Sequence, residues 1–381
     1  MKKHIRFIFL ASFFFSLHMA LLAYVNSSML GVFASPTLVG ITYTISSVLS
    51  LILVSIAPDV IRRIGALRYI GVSLGISGLL LYLISTHTGT SIIPFFILYF
   101  SLNSVVLYGL DIFLEHYSAE SSTGNIRGAY LALGNIGWVI APLISGTLET
   151  TVGFSAIYLA AAVVVGLTFM AMIIGQRGFV DKAYMRGTIF DGMRILQKNK
   201  NLRLITLLNF LLQLFFVVMV IYSPIYLTKV IGFSWQSFSL LLSIMLSAFV
   251  IFPYPLGKIL DKYKNERELM GLALLLMGAA TLYFARLGYA SVTLYALILF
   301  LTRAGASTLE TMCESAFFKQ VTDKDSEVIS LYRNMMPFAY TVGPLIAAAL
   351  FAFTSYQTLF TVLGIVMLLS TLITIQIKDV R

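Results

Sequence analysis

The sequence predicts an all-α integral membrane protein, in which twelve transmembrane helices form two pseudo-symmetric six-helix bundles. Hydrophobic residues make up 59% of the chain and charged residues only 11%, whereas a soluble domain carries about a quarter charged residues. The apolar residues occur in blocks of about twenty, long enough for a helix to cross a hydrocarbon core of about 30 Å. Several motifs also recur at a nearly constant spacing. Together these observations exclude a soluble fold.

The apolar blocks define twelve predicted spans, with one long polar segment between the sixth and the seventh. The first block is interpreted as an uncleaved span and not as a signal peptide, because it is long and belongs to a duplicated set. The predicted spans cover residues 5–27, 37–57, 66–86, 91–115, 126–149, 153–174, 202–227, 235–256, 268–287, 291–314, 328–352 and 356–377. The predicted domains are therefore a bundle at 1–175, a cytoplasmic linker at 176–200 and a second bundle at 201–381.

The linker itself contains an amphipathic pattern. Apolar residues recur at helical spacing among several cations, at Ile189, Phe190, Met193, Ile195 and Leu196. This pattern predicts a short helix that lies at the inner membrane surface. A phosphate-binding loop is the alternative, but the sequence contains no Gly-x-x-x-x-Gly-Lys-Ser/Thr motif.

The two halves of the chain carry matching motifs. Motifs in the first half reappear 202 residues later: Asp59 as Asp261, and Tyr130 with Pro142-Leu143-Ile144 as Tyr332 with Pro344-Leu345-Ile346. A constant offset across separate motifs indicates an internal duplication. In an apolar chain, such a duplication is typical of a membrane transporter built from two halves.

The cations lie on one side of the predicted spans. Of the 26 Lys and Arg residues, all except Lys229, Arg286 and Arg303 lie at the N-terminus, in the linker, at the C-terminus, or in the connections that follow spans two, four, eight and ten. The positive-inside rule then predicts a multi-pass protein of the plasma (inner) membrane with both termini in the cytoplasm. The net charge of +10 therefore reflects membrane topology, and we expect no nucleic-acid partner.

Metal, cofactor and disulfide chemistry find no support in the sequence. The four histidines are spread over different segments, at His4, His18, His87 and His116, and the single cysteine, Cys313, allows no internal disulfide. We therefore expect no metal site and no cofactor, and Cys313 is interpreted as a buried thiol.

A loop motif near the middle of the second half points to a known family. Gly257-x-x-x-Asp261-Lys262 matches the Gly-x-x-x-Asp-Arg/Lys signature of the major facilitator superfamily, which the whole chain resembles in its six-plus-six spans and basic linker. In the first-half copy, Ser55 and Val60 replace the glycine and the basic residue. The resemblance implies that these loops lock the outward-open state, a gating role for Asp59, Arg62, Arg63, Gly257, Asp261 and Lys262.

A second motif resembles proton-coupled antiporters of the same family. Residues 137–146 in span five are similar to their glycine-proline motif, although Ala141 and Ser145 stand where glycines are usual. Span four carries Asn103 and lacks the arginine of those antiporters. Proton-coupled export is therefore implied less directly than membership of the superfamily.

Several polar residues fall on spans one, four, seven and ten, which line the central cavity in that family. Arg303 lies near the middle of span ten, where a charge is costly unless it faces a cavity or a partner. It is either the partner of a buried acid or a contact for the substrate. His18 either relays protons or hydrogen-bonds a neighbouring helix. The predicted substrate path comprises His18, Asn103, Asp111, Asn209, Gln213, Arg303 and Glu310.

Two acidic pairs end spans four and ten. Asp111 and Glu115 are four residues apart, as are Glu310 and Glu314, so each pair shares one helix face. The outer members, Glu115 and Glu314, are predicted to anchor the inner gate through cations such as Arg62, Arg63, Arg127, Lys264 or Arg333. Asp111 and Glu310 lie one turn deeper and are predicted to carry protons, as acids within membrane helices often do.

The sequence therefore predicts a secondary active transporter that moves a small solute by alternating access, coupled to protons. Export is favoured over import, and the partners are a small-molecule substrate, protons and the lipid bilayer, with a monomeric chain. The alternatives are an importer of a small polar metabolite and a non-transporting receptor or scaffold on the same fold. A membrane enzyme would need a catalytic cluster at one interface, which the sequence lacks.

Overall fold

The chain folds into helices that group into two units. The computed structural model describes residues 2–117, 123–179, 189–253, 255–256, 266–288, 291–321 and 326–378, which are almost entirely helical and contain no strand. The chain divides into two compact units, Met1–Met185 and Arg186–Arg381, named unit 1 and unit 2 below. The division falls inside the predicted linker.

Unit 1 contains seven described helices, two of which form the first predicted span. A turn of 3-10 helix, Gly89–Ser91, precedes the fifth helix. The helices are α1 (Lys2–Ala23), α2 (Asn26–Phe33), α3 (Pro36–Ile64), α4 (Ala66–Thr86), α5 (Ile92–Tyr117), α6 (Thr123–Thr151) and α7 (Phe154–Gly175).

Unit 2 repeats this series with more interruptions. A π-helical turn, Tyr226–Val230, extends its second helix. The helices of the described part are α8 (Ile189–Lys198), α9 (Lys200–Ile225), α10 (Trp235–Leu246), α11 (Ala248–Ile251), α12 (Glu266–Arg286), α13 (Val292–Phe318), α14 (Ser326–Arg333), α15 (Met335–Phe351) and α16 (Tyr356–Thr374).

Local sequence sets several helix ends. The Ser35 hydroxyl accepts a hydrogen bond from the Leu38 amide, and Pro36 occupies the first turn of α3, a combination that favours helix initiation. Asn199 caps α9 in the same way. Gly65 ends α3 at φ 85°, a backbone region that glycine adopts without steric cost.

Ten helical segments of the described ranges are long and apolar enough to cross a membrane. The predicted spans at 126–149 and 235–256 correspond to α6 and to the shorter apolar segment Trp235–Ile251. The ten segments are His4–Phe33, Pro36–Ala57, Ala66–Thr86, Gly89–Leu114, Phe154–Gly175, Lys200–Val230, Glu266–Arg286, Val292–Phe318, Leu331–Phe351 and Tyr356–Thr374. The predicted all-α membrane fold is confirmed.

Equivalent helices pack together in the two units. In unit 1, α1 packs on α6 and α7, while α4 packs on α5 and α7. In unit 2, α9 packs on α15 and α16, while α12 packs on α13 and α16. The contact of α3 with α5 is likewise repeated by α10 with α13. The packing inside each unit therefore follows the duplication read from the sequence.

Large apolar side chains cover much of the outer surface. Leu79 in α4, Val163 in α7, Leu272 in α12 and Leu369 in α16 are each about 60% exposed. Exposure of so many large apolar groups is unfavourable in water but normal against lipid tails. These positions mark the lipid-facing sides of four helices.

The linker helix forms where the amphipathic pattern predicts it. Helix α8 packs against α14, the short helix that precedes α15. Val328 and Leu331 of α14 are buried, whereas Arg194 and Lys198 of α8 are exposed. The apolar side chains of Val328 and Leu331 in α14 thus pack against protein, whereas Met193 and the cations of α8 are exposed.

Candidate functional site

The charged site of unit 2 is centred on an ion pair between α13 and α14. The Arg333 Nη1 atom donates to the Glu314 Oε1 atom at 2.8 Å, and Nη2 lies 3.5 Å from Oε2. Arg333 is the last residue of α14. The charge pattern predicts that this end of α13 lies toward the cytoplasm. Arg333 is one of the cations that the sequence offered as a partner for Glu314.

Glu310 lies one helical turn deeper than Glu314 and is half-buried. Among the residues that the structure describes, Glu310 forms no ion pair and no hydrogen bond. The Glu314 carboxylate and the Arg333 guanidinium are still close enough to act on it electrostatically. Two acids on one helix face therefore differ in bonding, because only the outer acid has an arginine partner.

A chain of polar contacts links this acidic site to α9. The Gln213 Nε2 atom donates to the Asn209 Oδ1 atom at 3.3 Å, and the Asn209 Nδ2 atom donates to the Tyr332 carbonyl oxygen at 3.2 Å. The Tyr332 ring stacks on Phe317 of α13, with 4.0 Å between the ring centroids. The buried Tyr332 hydroxyl has no hydrogen-bond partner in the described part of the chain. Asn209 and Gln213 thus lie on the same side of α9 and face α14.

Arg303 is buried in the middle of α13, with only 1% of its surface exposed. Its guanidinium carbon lies 5.4 Å from the ring centroid of Phe215 and 5.7 Å from that of Phe216, both on α9. Contacts at these distances stabilise a cation over an aromatic face. Arg303 and Glu310 are seven residues apart, which is nearly two full helical turns, so they share one face of α13.

The polar core of unit 1 is a neutral hydrogen-bonded network. His18 of α1 is fully buried, and its Nδ1 atom lies 3.1 Å from the Phe15 carbonyl oxygen. Because a carbonyl oxygen only accepts, Nδ1 carries the proton and Nε2 accepts from the Tyr99 hydroxyl at 2.8 Å. Asn103, one turn along α5, donates to the Tyr99 oxygen. The predicted hydrogen bond from His18 to a neighbouring helix is present.

The acidic pair of unit 1 differs from its counterpart. Asp111 lies one turn deeper than Glu115, as the spacing predicts, but its side chain is exposed. The reason lies in helix geometry: Asp111 is eight residues beyond buried Asn103, which turns it about 80° around α5. Glu310 stays on the face of Arg303 because the interval there is seven residues. The Glu115 side chain lies outside the described residues.

The predicted gating residues of the first half belong to a helix. Span two was expected to end at residue 57, but α3 continues to Ile64, so Asp59, Arg62 and Arg63 are helical. Arg62 pairs with Asp59 one turn earlier, and cations in the last turn complement the helix dipole. The connection to α4 is Gly65 alone. The second-half residues Gly257, Asp261 and Lys262 lie outside the described residues.

Sequence reasoning missed a buried acid at the start of α12. Glu266 is 1% exposed and pairs with Lys319, which directly follows α13. The sequence places Glu266 in the connection between the predicted spans 235–256 and 268–287, because no local pattern separates the last loop residue from the first buried helical residue. The apolar run that begins at Leu269, three residues after Glu266, was the available signal that a helix starts near this point.

Metal ligation has no geometric basis in the described ranges. No group of three or more His, Cys, Asp or Glu side chains there is arranged to hold a metal ion. Cys313 is a buried free thiol, as interpreted from the sequence. The polar groups described above form hydrogen bonds and ion pairs.

Comparison with known proteins gives one match. The sequence model described as Major Facilitator Superfamily matches residues 8–267 and 205–377 of the chain. A search of curated proteins finds no match. The family match covers almost the whole chain and agrees with the resemblance read from the loop motif.

Proposed function

The chain belongs to the major facilitator superfamily and is a membrane transporter of a small solute, and we propose that it works as a secondary active transporter coupled to protons. Transport follows alternating access, with units 1 and 2 as the two moving bodies. The proposed direction is export from the cytoplasm across the plasma membrane, with both termini on the cytoplasmic side. The proposed proton carrier is Glu310.

One observation carries the coupling proposal: the two acids of α13 differ in their partners. Protonation of Glu314 would break its ion pair with Arg333. Glu310 can take up or release a proton without losing such a contact, although it sits beside that pair. An intramembrane acid with these properties is suited to a proton relay. Glu314 and Arg333 are then the inner-gate pair that flanks the relay.

The proposed substrate path in unit 2 follows the shared face of α13 and the polar side of α9. Arg303 contacts Phe215 and Phe216 and lies about 10 Å along the helix from Glu310. A cation close to aromatic rings suits a polar or amphiphilic solute with an aromatic or anionic group. Asn209 and Gln213 add amide groups beside this path.

Unit 1 contributes neutral groups to the same proposal. Asn103 is buried next to Tyr99 and retains an Oδ1 atom without a hydrogen-bond partner among described groups, so it can accept a hydrogen bond from a solute. His18 holds Tyr99 in place. Exposed Asp111 is proposed to relay protons to water, and Glu115 to hold the inner gate.

The gating proposal rests on both copies of the loop motif. Asp59, Arg62 and Arg63 at the end of α3, and Gly257, Asp261 and Lys262 in the second half, are proposed to stabilise the outward-open state. The ion pair of Asp59 with Arg62 would have to rearrange when Asp59 bonds a neighbouring helix.

The function is tested in two steps. A thermal-shift screen of the purified protein against metabolites and drugs identifies a ligand, because a ligand that binds the folded state raises the melting temperature. Flux of that ligand is then measured in inverted and right-side-out vesicles, with and without a pH gradient. Accumulation in inverted vesicles driven by an acidic interior is expected.

Three other results would change the proposal. Ligand binding without flux would indicate a receptor, and accumulation only in right-side-out vesicles would indicate an importer. The double variant Glu310→Gln/Asp111→Asn tests the coupling. If its gradient-driven flux is unchanged, the proposal of proton coupling is wrong. A wild-type melting temperature shows that the variant is folded.

A further inference from the structure

An apolar groove runs along the outside of unit 1 between α4 and α7. Its volume is about 480 Å³. Ile64, Val72 and Phe169 are among its large apolar walls and are each more than a third exposed, so the groove opens sideways from the helix bundle. The lining residues are Ile64, Leu67, Arg68, Gly71, Val72, Phe169 and Ile173.

Among the described lining residues of this groove, Arg68 is the only charged one. It lies in the first turn of α4 and its side chain is exposed. Within the described ranges Arg68 makes no ion pair and no side-chain hydrogen bond. Arg62 and Arg63 are also exposed and lie six and five residues before Arg68, at the end of α3. One end of the groove is therefore cationic and the rest is apolar.

Gly71 keeps the groove open. A Cβ atom at this position would lie 3.5 Å from the Ile173 Cδ1 atom and 3.7 Å from the Phe169 Cε2 atom, which is ordinary van der Waals contact. A larger side chain would project between α4 and α7 at this level. Gly71 thus leaves room for an apolar chain beside Phe169 and Ile173.

Within the described part of unit 2, the position that corresponds to Arg68 is not cationic. Two of the three glycines of α4, Gly71 and Gly78, recur 200 residues later in α12 as Gly271 and Gly278, and at this offset Arg68 becomes Glu268. Glu268 pairs with its neighbour Arg267 at 2.8 Å. The position in unit 2 that corresponds to Arg68 is therefore acidic, and its charge is neutralised by Arg267. Among the described residues, a cationic groove end is thus seen in unit 1.

From these features we propose that the groove binds an anionic phospholipid. Arg68 holds the phosphate at the membrane interface, and an acyl chain lies along Val72, Phe169 and Ile173. Charge complementarity favours this occupant, because basic residues next to a membrane helix attract anionic lipids from the cytoplasmic leaflet. An apolar solute would satisfy the walls of the groove but not the exposed guanidinium group.

The proposal is tested by lipid binding to the purified full-length protein. Native mass spectrometry in detergent counts bound dioleoylphosphatidylglycerol, with dioleoylphosphatidylcholine as the zwitterionic control. The wild type is expected to retain one phosphatidylglycerol in preference to phosphatidylcholine. Arg68→Gln is expected to weaken this binding about fivefold, in line with one basic residue at a membrane surface, and Arg68→Lys is expected to preserve most of it.

Two further variants separate the groove from general surface charge. Gly71→Leu fills the groove and is expected to reduce phosphatidylglycerol binding while Arg68 stays in place. Arg267→Gln removes an exposed arginine of unit 2 that is paired with Glu268, and it is expected to bind lipid like the wild type. Thermal unfolding of each variant checks the fold, and only the folded species is counted in the mass spectrum.

Three results would contradict lipid binding in the groove. Equal loss in Arg267→Gln, or no loss in Arg68→Gln and Gly71→Leu, would overturn the proposal. Binding of inorganic phosphate or dihexanoylphosphatidylglycerol with the affinity of the long-chain lipid would also overturn it, since the acyl chain would then contribute nothing. These measurements need no transport substrate, so they stand apart from the proposed proton coupling.

Discussion

Units 1 and 2 pack equivalent helices in the same way but differ in the chemistry of their interiors. The core of unit 1 joins His18, Tyr99 and Asn103 through neutral hydrogen bonds. The described part of unit 2 contains the buried cation Arg303 and the half-buried acid Glu310. Duplication therefore preserves the helix contacts that build each unit, while the polar interior diverges between the copies.

The two units also differ in how closely their helices approach. A Cβ atom at Gly278 of α12 would lie 2.6 Å from the Leu368 Cγ atom and 2.9 Å from the Gly364 carbonyl oxygen. At the equivalent Gly78 of α4, the nearest atom would be a Val165 methyl at 3.8 Å. Small residues let membrane helices pack closely, so α12 meets α16 more tightly than α4 meets α7.

The largest effect is expected from neutralising the acid that distinguishes unit 2. Glu310→Gln cannot exchange a proton, so we expect loss of solute accumulation driven by a pH gradient, down to the level of empty vesicles. Downhill exchange of the solute is expected to persist. Asp111→Asn in unit 1 is the matched comparison and is expected to keep most of the gradient-driven accumulation, because water can replace an exposed carboxylate in the relay. Equal loss in both variants would show that the two acids act as one relay.

A smaller effect is expected from changing the buried cation of unit 2. Arg303→Leu keeps an apolar side chain between Phe215 and Phe216 but removes the charge, and we expect solute affinity to fall about tenfold or more. Arg303→Lys is expected to recover part of this loss, since a lysine keeps the charge but lacks the planar guanidinium. Isothermal titration with the ligand from the thermal-shift screen measures both. An unchanged affinity in Arg303→Leu would leave Arg303 a structural role only.

The difference in helix packing predicts a difference in stability. Gly278→Ala forces α12 and α16 apart and is expected to destabilise the fold by about 1–3 kcal/mol, the usual range for overpacking. Gly78→Ala is accommodated by ordinary contact and gains helix propensity, so its melting temperature is expected to stay level or rise. Thermal unfolding of the two variants in the same detergent measures this difference in stability. Equal melting temperatures would contradict the proposed difference in helix packing.

The smallest effect is expected from the partly exposed ion pairs. The Arg333 and Glu314 side chains are 52% and 35% exposed, so water screens their attraction and the pair contributes at most about 1 kcal/mol. Arg333→Gln is therefore expected to change the melting temperature only slightly, as is Arg62→Gln in unit 1. The two differ in transport, where Arg333→Gln is expected to slow the cycle through the inner gate. A large drop in the melting temperature of Arg333→Gln would place the pair in the structural core.

Much of the fold follows from the sequence, because bilayer thickness and backbone hydrogen bonding leave few choices. Blocks of twenty apolar residues must form helices, and the ten long apolar segments fall on predicted spans. The end of α3 could not be placed, since the charged residues Asp59 and Arg62 interrupt the apolar run but continue the helix. Hydropathy indicates where a helix leaves the lipid. It does not indicate the residue at which the helix itself ends.

The candidate site was only partly predictable for a similar reason. Spacing along one helix identified the pairs of acids and the shared face of Arg303 and Glu310. The exposure of Asp111 and the ion pair of Glu266 with Lys319 depend on which neighbouring helix each face meets. These contacts are set by tertiary packing, and the pattern of residues along one sequence does not show which helices pack together.

Carbodiimide labelling tests the central claim, that the proton carrier lies in unit 2, without knowledge of the substrate. N,N′-dicyclohexylcarbodiimide reacts with protonated carboxyl groups in apolar surroundings, and mass spectrometry of the digested protein locates its adducts. We predict that Glu310 is the principal labelled acid, and that its labelling decreases as the pH is raised. Preferential labelling of Asp111, or equal labelling of Glu314 and Glu310, would contradict the assignment of proton coupling to Glu310.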